Sequence, residues 1–444
     1  MAWIRPEDSG YDEARRLFNA WIDKRPAVIA QCATPAEVAE ALAYGRREGL
    51  PIAVRAGGHS VAGYSTNDGG LVIDVRPMKS AEVDPEARTV RAGAGLTWHE
   101  YDTATQAHGL ASTGGRASTT GIAGFTLGGG SGWLERTCGL ACDSLVSVDL
   151  VTADGEYVTA SADENPELFW ALHGGGGNFG VATSLTYQLQ PLGPEVAAGL
   201  LVWPGDRTRE ILGAYRDLAH AADRRLGSVL VLFTAPAGDD SIPESLWGRP
   251  AVLVGFVFNG PGEEGLEAIH PFRDLDPAAD FSGLTPYVDF QCSIDDPADH
   301  FNYWSADYHD ELSDAALDVF AASCQELPSP ESQQLIVPWD GAVAEGPASG
   351  SPLAHRKSAW VSHPFGIAAD LAGGERARDW TRRFRSDIAP YTNGGVYLNF
   401  IGDEGQGRVR AAFGDENYAR LAQVKKEFDP GNVFRGNQNI RPGE

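Results

Sequence analysis

Between Pro26 and Pro194, short apolar runs bounded by glycine and other turn residues alternate with segments whose apolar positions recur at helical spacing. The runs AVIA, IAVRA, LVIDV, TVRAG, VSVDLVTA and VATSLTYQL are dominated by β-branched residues and predict strands. PAEVAEALAYGRREG, TWHEYDTATQAHG and NPELFWAL predict helices. Around QLQPLGPEVAAG the pattern changes. From there to about Ala389, SVLVLFTA and AVLVGFVF alternate with the long helical patterns RTREILGAYRDLAHAAD and GGERARDWTRRFRSDI, which predicts a sheet with helices on one face. The rest of the chain predicts a strand at GGVYLNFI, a helix at NYARLAQVKKEF and a turn-rich end, DPGNVFRGNQNIRP. The expected fold class is α+β, divided at residues 1–194, 195–390 and 391–444.

Composition narrows the function. With 43% hydrophobic residues and 11 Trp, the chain is too apolar for intrinsic disorder. A net charge of -26 repels phosphate backbones and anionic headgroups, so neither nucleic acid nor a membrane surface is an expected partner. The start, MAWIRPEDSGYDEARRL, has no apolar stretch behind a basic one, and no run of apolar residues is long enough to span a bilayer. A soluble, cytoplasmic protein is expected. Five cysteines, Cys32, Cys138, Cys142, Cys292 and Cys324, argue against a disulfide framework and predict mostly buried thiols.

Four glycine clusters fall in the first division: AGGHS, STGG, LGGGSG and HGGGGNFG. Glycine lets backbone N–H groups approach an anion closely and adopt positive φ, and four such turns predict a long phosphate-bearing ligand. Gly175, Gly177 and Gly180 match G-x-G-x-x-G, but they follow a helix and lead into a strand, the reverse of a dinucleotide fold. No nucleotide P-loop occurs, and G-x-S-x-G lacks its strand-to-helix context. Cys138 and Cys142 have no further ligands nearby, and Asp295, Asp296, Asp299 and His300 read as a solvated, helix-capping turn rather than a metal site. The chemistry is therefore expected from an organic cofactor.

Taken in order, VRAGGHSVAGYS, GLVIDV, GGRASTTGIAGFTLGGGSGWLERTCGLACDSL, VTADGE, ENPELFWALHGGGGNFGVATSL and NYARLAQVKKEFDPGNVFRGNQNI resemble the FAD-linked oxidases of the vanillyl-alcohol oxidase and p-cresol methylhydroxylase superfamily, and within it the berberine bridge enzyme branch, especially its bacterial members. The resemblance is loose in the middle division. It implies a PCMH-type FAD-binding domain of two α+β subdomains (1–194), a substrate domain with an antiparallel sheet covered by helices (195–390), and a C-terminal segment (391–444) returning to the FAD domain. It implies that His59 is bonded through a ring nitrogen to the 8α-methyl of FAD, with Gly57 and Gly58 leaving room for the ring edge. Ala117 stands where many relatives carry a second linking cysteine, so a single covalent bond is expected, with a reach from Cys138 as the alternative.

By the same resemblance, Ala56, Gly57, Gly58, Ser60 and Gly63 wrap the pyrophosphate, within the motif that Arg55 opens. Ser118, Thr120, Gly121 and Gly124 run beside the flavin, and Gly130 and Asp143 shape the next loop. Gly180 and Val181 lie near the adenine or ribose, and Asn437 and Asn439 close over the cofactor. Tyr397 and Asn399 sit on a strand facing the ring. The lysine of a Y-W-K-S motif is replaced at Tyr303, Trp304, Ser305 and Ala306.

The activity implied is hydride removal from a small-molecule alcohol, or from a C–H beside an amine or phenol, with O2 as final acceptor and H2O2 as product. Tyr397 leads as catalytic base and Tyr303 follows, a neighbouring positive charge or a paired tyrosine being needed to lower either phenol. Thr120, Ile122 and Ala123 are the expected liners of the oxygen approach. Two other readings stand beside this one. An oligosaccharide oxidase forming a lactone would use Trp304, Tyr308 and Trp203 as an aromatic groove, and a flavin-binding protein would show no turnover.

Overall fold

LVIDV forms the strand Leu71–Asp74, buried along its whole length because Val28–Gln31 and Ile52–Arg55 flank it in parallel. Ala2–Ile4 adds antiparallel to Val28–Gln31, completing a four-stranded sheet. The structure is a computed structural model and describes residues 1–295 and 297–443. Helix Pro35–Arg47 makes the crossover in this sheet, started by a Thr34/Glu37 capping box with proline in its first turn.

A second, antiparallel sheet orders its strands as Ala81–Asp84, Thr89–Gly93, Val181–Gln188, Leu145–Val151 and Tyr157–Ser161. All the strands read from sequence in this part of the chain are present. A nine-stranded sheet follows, with Glu195–Pro204, Pro250–Phe258, Leu226–Thr234, Gln333–Pro338 and Trp360–Ala368 at its centre, all paired antiparallel. Alternation along these strands sorts the two faces. Leu230, Leu232 and Ile336 join Leu212, Phe320 and Phe384 of the helices Thr208–Ala219, Asp314–Cys324 and Leu371–Ile388, while Val229 and Val337 join the core of the first domain. The helices thus cover one face, and the other turns toward the glycine loops.

The C-terminal helix Gln406–Phe428 brings the chain back to the first domain. Its Lys425 is fully buried and donates to Asp429 Oδ2 at 2.6 Å and to the carbonyls of Asn178 and Phe434 at 2.6 and 3.0 Å. That paired, hydrogen-bonded cation fixes the terminal loop against the glycine cluster at 174–177. GGVYLNFI is not a strand: Leu398–Phe400 forms one 3-10 turn. The apolar run that reads as a strand here instead buries three consecutive residues, Val396, Tyr397 and Leu398, in the core shared with the glycine loops.

Asp102, on helix Trp98–Gln106, is fully buried. One carboxylate oxygen accepts from Gln291 Nε2 at 3.0 Å, and the other has no donor among the described residues. Burial pushes its pKa up to about 7. A carboxyl held above its unfolded value favours the fold below that unfolded value, and this contribution is lost as pH rises toward 7. Asp102→Asn is therefore expected to flatten stability between about pH 4 and 7 and to gain roughly 2 kcal/mol over wild type at pH 8. Thermal unfolding across that range checks this.

Candidate FAD site

The turn after strand Ile52–Arg55 and the loop before helix Ile122–Leu127 meet back to back. A Cβ on Gly57 would lie 2.2 Å from the Gly121 nitrogen, and one on Gly121 would lie 2.3 Å from that of Gly57. Only hydrogen fits between two backbones at that distance. Gly58 has φ +80°, so the turn presents successive amides, and those of Gly57, Gly58, His59 and Ser60 have no protein acceptor among the described residues. Such a nest is an anion-binding concavity.

These turns, the 174–177 cluster and the C-terminal loop enclose a cavity of about 640 Å³. It continues to the exposed face of the nine-stranded sheet, where Leu200, Val231, Leu253, Gln333, Leu335 and Phe365 form its far wall. Gly124 and Gly177 both line the cavity, and a Cβ on either would meet no protein atom within 4 Å. Asn437 Oδ1, buried in the C-terminal loop at the cavity, has no donor among the described residues. Unclaimed amides, two glycines facing open space and an unclaimed amide oxygen are what a long, phosphate-bearing cofactor such as FAD would complete. The residues present fit that group.

His59 lies half-buried at the cavity wall, its ring stacked on Phe18 with centroids 4.3 Å apart. Nε2 is 3.1 Å from Thr119 Oγ1 and Nδ1 is 3.3 Å from Thr120 Oγ1. Burial lowers the imidazole to about 4, against the opposing charge of Asp295, so the ring is neutral at ordinary pH and keeps one lone pair. Ala117 also lines the cavity and brings no thiol. Cys138 and Cys142 do not line it. Cys142 donates its S–H to Asp143, and burial pushes the Cys138 thiol up to about 12.

Of the other residues expected at the cofactor, Ala56, Gly57, Gly58, Ser60, Thr120, Gly121, Gly124, Gly180, Asn399 and Asn437 line the cavity. Several do not. Arg55 turns away to donate to the carbonyls of Ala14 and Arg16, Gly63 packs on Ile22, and Val181 belongs to the core. Asp143 is held by buried Arg356 at 2.5 Å, and Gly130, at φ +96°, is wedged against Ala141 and Phe125. Ser118 binds Asp295 through both its amide and its hydroxyl, at 2.5 and 2.6 Å, and Asn439 lies beyond the wall. These residues shape the loops from behind. Of the oxygen-approach liners, Thr120 and Ala123 reach the cavity and Ile122 is core.

Tyr397 corrects the expected base. Its hydroxyl is fully buried, accepts from the amides of Gly130 and Ser131 at 2.5 and 3.1 Å and from Asn399 Nδ2 at 3.2 Å, and does not reach the cavity. Burial pushes this phenol above its ordinary value, the opposite of what a base needs. It is a strut for the Gly128–Ser131 loop. Tyr397→Phe would strand two buried amides and is expected to cost about 2 to 4 kcal/mol in denaturant unfolding, whereas a phenol serving only as a base would leave stability nearly unchanged. Tyr303 also faces away, stacked under Arg382, whose Nε donates to its hydroxyl at 3.3 Å. Of the supposed aromatic groove, only Trp304 lines the cavity, since Trp203 and Tyr308 are core.

One further part of the wall was legible in the sequence as a glycine cluster, and two contributions to it were not. Gly174–Gly177, noticed as a cluster, line the cavity in full. Arg116, paired with buried Glu135 at 3.0 Å, enters it beside Trp133, and Asp295, exposed as a solvated turn predicts, also lines it and accepts from Ser118. Asp296 lies outside the described residues. Among the described residues, no group of three His, Cys, Asp or Glu could hold a metal, and no helix is long and apolar enough to cross a membrane.

Comparison with known proteins agrees with this site. An FAD-binding domain model matches residues 26–161, and a berberine and berberine-like model matches 396–441. The chain is 31% identical to (R)-6-hydroxynicotine oxidase of Paenarthrobacter nicotinovorans, over 99% of this chain and 96% of that protein. It is 29% identical to an uncharacterised FAD-linked oxidoreductase of Bacillus subtilis, over 99% and 96%. The crystal structure of 6-hydroxy-D-nicotine oxidase from Arthrobacter nicotinovorans superposes with a TM-score of 0.88 at 28% identity, covering 100% of this chain and 98% of that one. A chitooligosaccharide oxidase superposes at 0.85 with 21% identity, covering 100% and 97%, a likeness of fold alone. With a full-length relative above 30% identity, and with both segments that the family models match contributing to the cavity wall, the chain belongs to the berberine bridge enzyme-like FAD-linked oxidoreductases and is an FAD-dependent oxidoreductase.

Proposed function

We propose that this chain is an oxidase that removes two hydrogens from a small, mainly apolar organic molecule, at an alcohol carbon or a C–H beside an amine or phenol, with O2 accepting them as H2O2. FAD supplies the two-electron acceptor. The observation that carries the reading is the far wall, where Leu200, Val231, Leu253, Leu335 and Phe365 leave Gln333 as the one amide among them. A wall of that kind binds an apolar body and orients it by few polar contacts. An oligosaccharide would bring more hydroxyls than Gln333 and Thr234 on this wall, with Arg116 and Asp295 beside it, can pair.

We also propose that His59 holds FAD by one covalent bond. Such a bond would join a ring nitrogen of His59 to the 8α-methyl carbon with loss of the N–H and one methyl C–H, the two hydrogens passing to O2. The neutral imidazole supplies the lone pair this needs, Thr119 and Thr120 fix the ring's orientation, and Ala117 leaves the second linking position without a thiol. The Gly57–Ser60 amides would hold the pyrophosphate, and the apolar sheet wall would exclude water from the reacting carbon.

The test is oxygen uptake and peroxide formation across aromatic alcohols, cyclic amines including 6-hydroxynicotine, and chitooligosaccharides. Turnover confined to the sugars overturns the substrate reading. Substrate-driven bleaching of the flavin without oxygen uptake makes the protein a dehydrogenase, and no bleaching by any compound favours a flavin-binding protein without turnover.

A further inference from the structure

His363 lies on strand Trp360–Ala368, opposite Leu335, while Phe365 on the same strand lies opposite Gln333. Side chains two apart share a sheet face, so His363 belongs to the face that forms the far wall of the cavity. It is nevertheless fully buried. Its ring stacks on Phe400 at 4.0 Å and 7°, and lies 3.9 Å from the ring of Phe365 and 5.8 Å from that of Trp304. Those three aromatic residues all line the cavity, so His363 is one ring behind the surface.

Its protonation pattern follows from its partners. Nδ1 is 2.7 Å from the carbonyl of Ser305, which only accepts, so Nδ1 carries the hydrogen and Nε2 the lone pair. Nε2 is buried with no donor among the described residues. Burial lowers the imidazole to about 3, and the charge of Arg116 acts in the same direction, so the ring stays neutral and does not satisfy itself by protonation. The carbonyl that orients it is held in turn. Ser305 donates through Oγ to Glu404 at 2.6 Å, and Glu404 is bridged to Asp307 by Arg385 and Arg408. An acceptor so firmly oriented, buried and unclaimed costs the fold about 1 to 3 kcal/mol unless something donates to it.

We propose that His363 Nε2 is the hydrogen-bond acceptor for the substrate, completed by an O–H or N–H next to the carbon that is oxidised, and reached when Phe365 or Phe400 rotates aside. Both phenyl rings are only half-buried and face the open cavity, so such rotation needs no repacking of the core. The assignment rests on the reading of the far wall as the seat of a small apolar substrate. It makes His363 a specificity-determining residue: of two molecules equal in size, the one bearing a donor is selected.

The probes are benzyl alcohol and ethylbenzene, which differ by hydroxyl against methyl, titrated into the holoenzyme and followed by the perturbation of the flavin spectrum. His363→Phe keeps the aromatic stack and removes the acceptor. It is expected to weaken benzyl alcohol about tenfold relative to ethylbenzene, with ethylbenzene itself little changed. An unchanged ratio overturns the role of His363. If neither probe binds the wild-type protein, the apolar substrate seat itself is overturned. Histidine ¹⁵N spectra of the wild type keep the test independent of how the variant folds. The His363 Nε2 resonance moves on adding benzyl alcohol but not ethylbenzene, and a resonance indifferent to both also overturns the proposal.

Discussion

Replacing His59 with alanine is expected to move the yellow colour from pellet to supernatant. When wild-type protein is precipitated in acid, FAD bonded to His59 as proposed should remain with the denatured chain and map to the peptide containing VRAGGHS. The His59→Ala protein, purified with FAD in excess, still folds around the cofactor, because the Gly57–Ser60 amides and the glycines at 124 and 177 are untouched, but it releases all of its flavin on precipitation. The effect is nearly all-or-none, since a covalent bond survives denaturation and cradle contacts do not. A second measurement follows from the chemistry of the imidazole. The tether withdraws electron density from the ring system, so the variant's flavin potential should fall and substrate-driven reduction should slow. Loss of the Phe18 stack costs the variant some stability, which His59→Asn would partly restore. Colourless wild-type pellets end the covalent proposal whatever the variant does.

How far the sequence disclosed this site depended on the range of the interactions that build it. The turns at AGGHS and STTGIAG were legible because turn chemistry is local: glycine is needed where Gly57 and Gly121 touch, and that requirement is written at the positions themselves. Tyr397 was misread because its surroundings come from far away. VYLNF is an apolar run that reads as a strand, but its phenol is captured by the amides of Gly130 and Ser131, more than two hundred residues earlier in the chain, and the residues after it, Leu398–Phe400, form a 3-10 turn. Asp295 was legible only in part, for the same reason: it is exposed as the turn predicts, but its partner lies elsewhere in the chain. An acidic run beside a proline has the composition of a solvated turn, and only the fold brings Ser118 to its carboxylate. The far wall was legible as alternating strands but not as a surface, because which alternate set faces the cavity depends on where the helices dock. His363 shows the limit most clearly: nothing in WVSHPFG marks an unclaimed acceptor until Ser305, Phe365 and Phe400 are in place around it.

The other large effect separates two glycines three residues apart, Gly121 at the end of its loop and Gly124 in the helix that follows. Gly121 has φ -71° and ψ 135°, a conformation any residue adopts, so Gly121→Ala meets no torsional objection. Space alone opposes it, since the new Cβ lies 2.3 Å from the nitrogen and 2.7 Å from the Cα of Gly57. Neither backbone yields without moving its whole turn, so the 56–60 nest and the 118–121 loop are forced apart. Stability should fall by about 1 to 3 kcal/mol or more, and FAD incorporation should be lost along with the nest geometry. Gly124 sits three residues on, within helix Ile122–Leu127, where alanine is the better helix former by about 0.5 to 1 kcal/mol. No protein atom lies within 4 Å of its added methyl, which instead enters the cavity. Gly124→Ala, made in a His59→Ala background so that binding is reversible, should leave the flavin-free protein as stable as its parent or slightly more so, while weakening FAD reconstitution about tenfold. Thermal unfolding of the flavin-free proteins and titration with FAD distinguish the two. If Gly124→Ala binds FAD as tightly as its parent, the cofactor does not pass over that helix, and the cavity must be assigned to another part of the molecule that fills it.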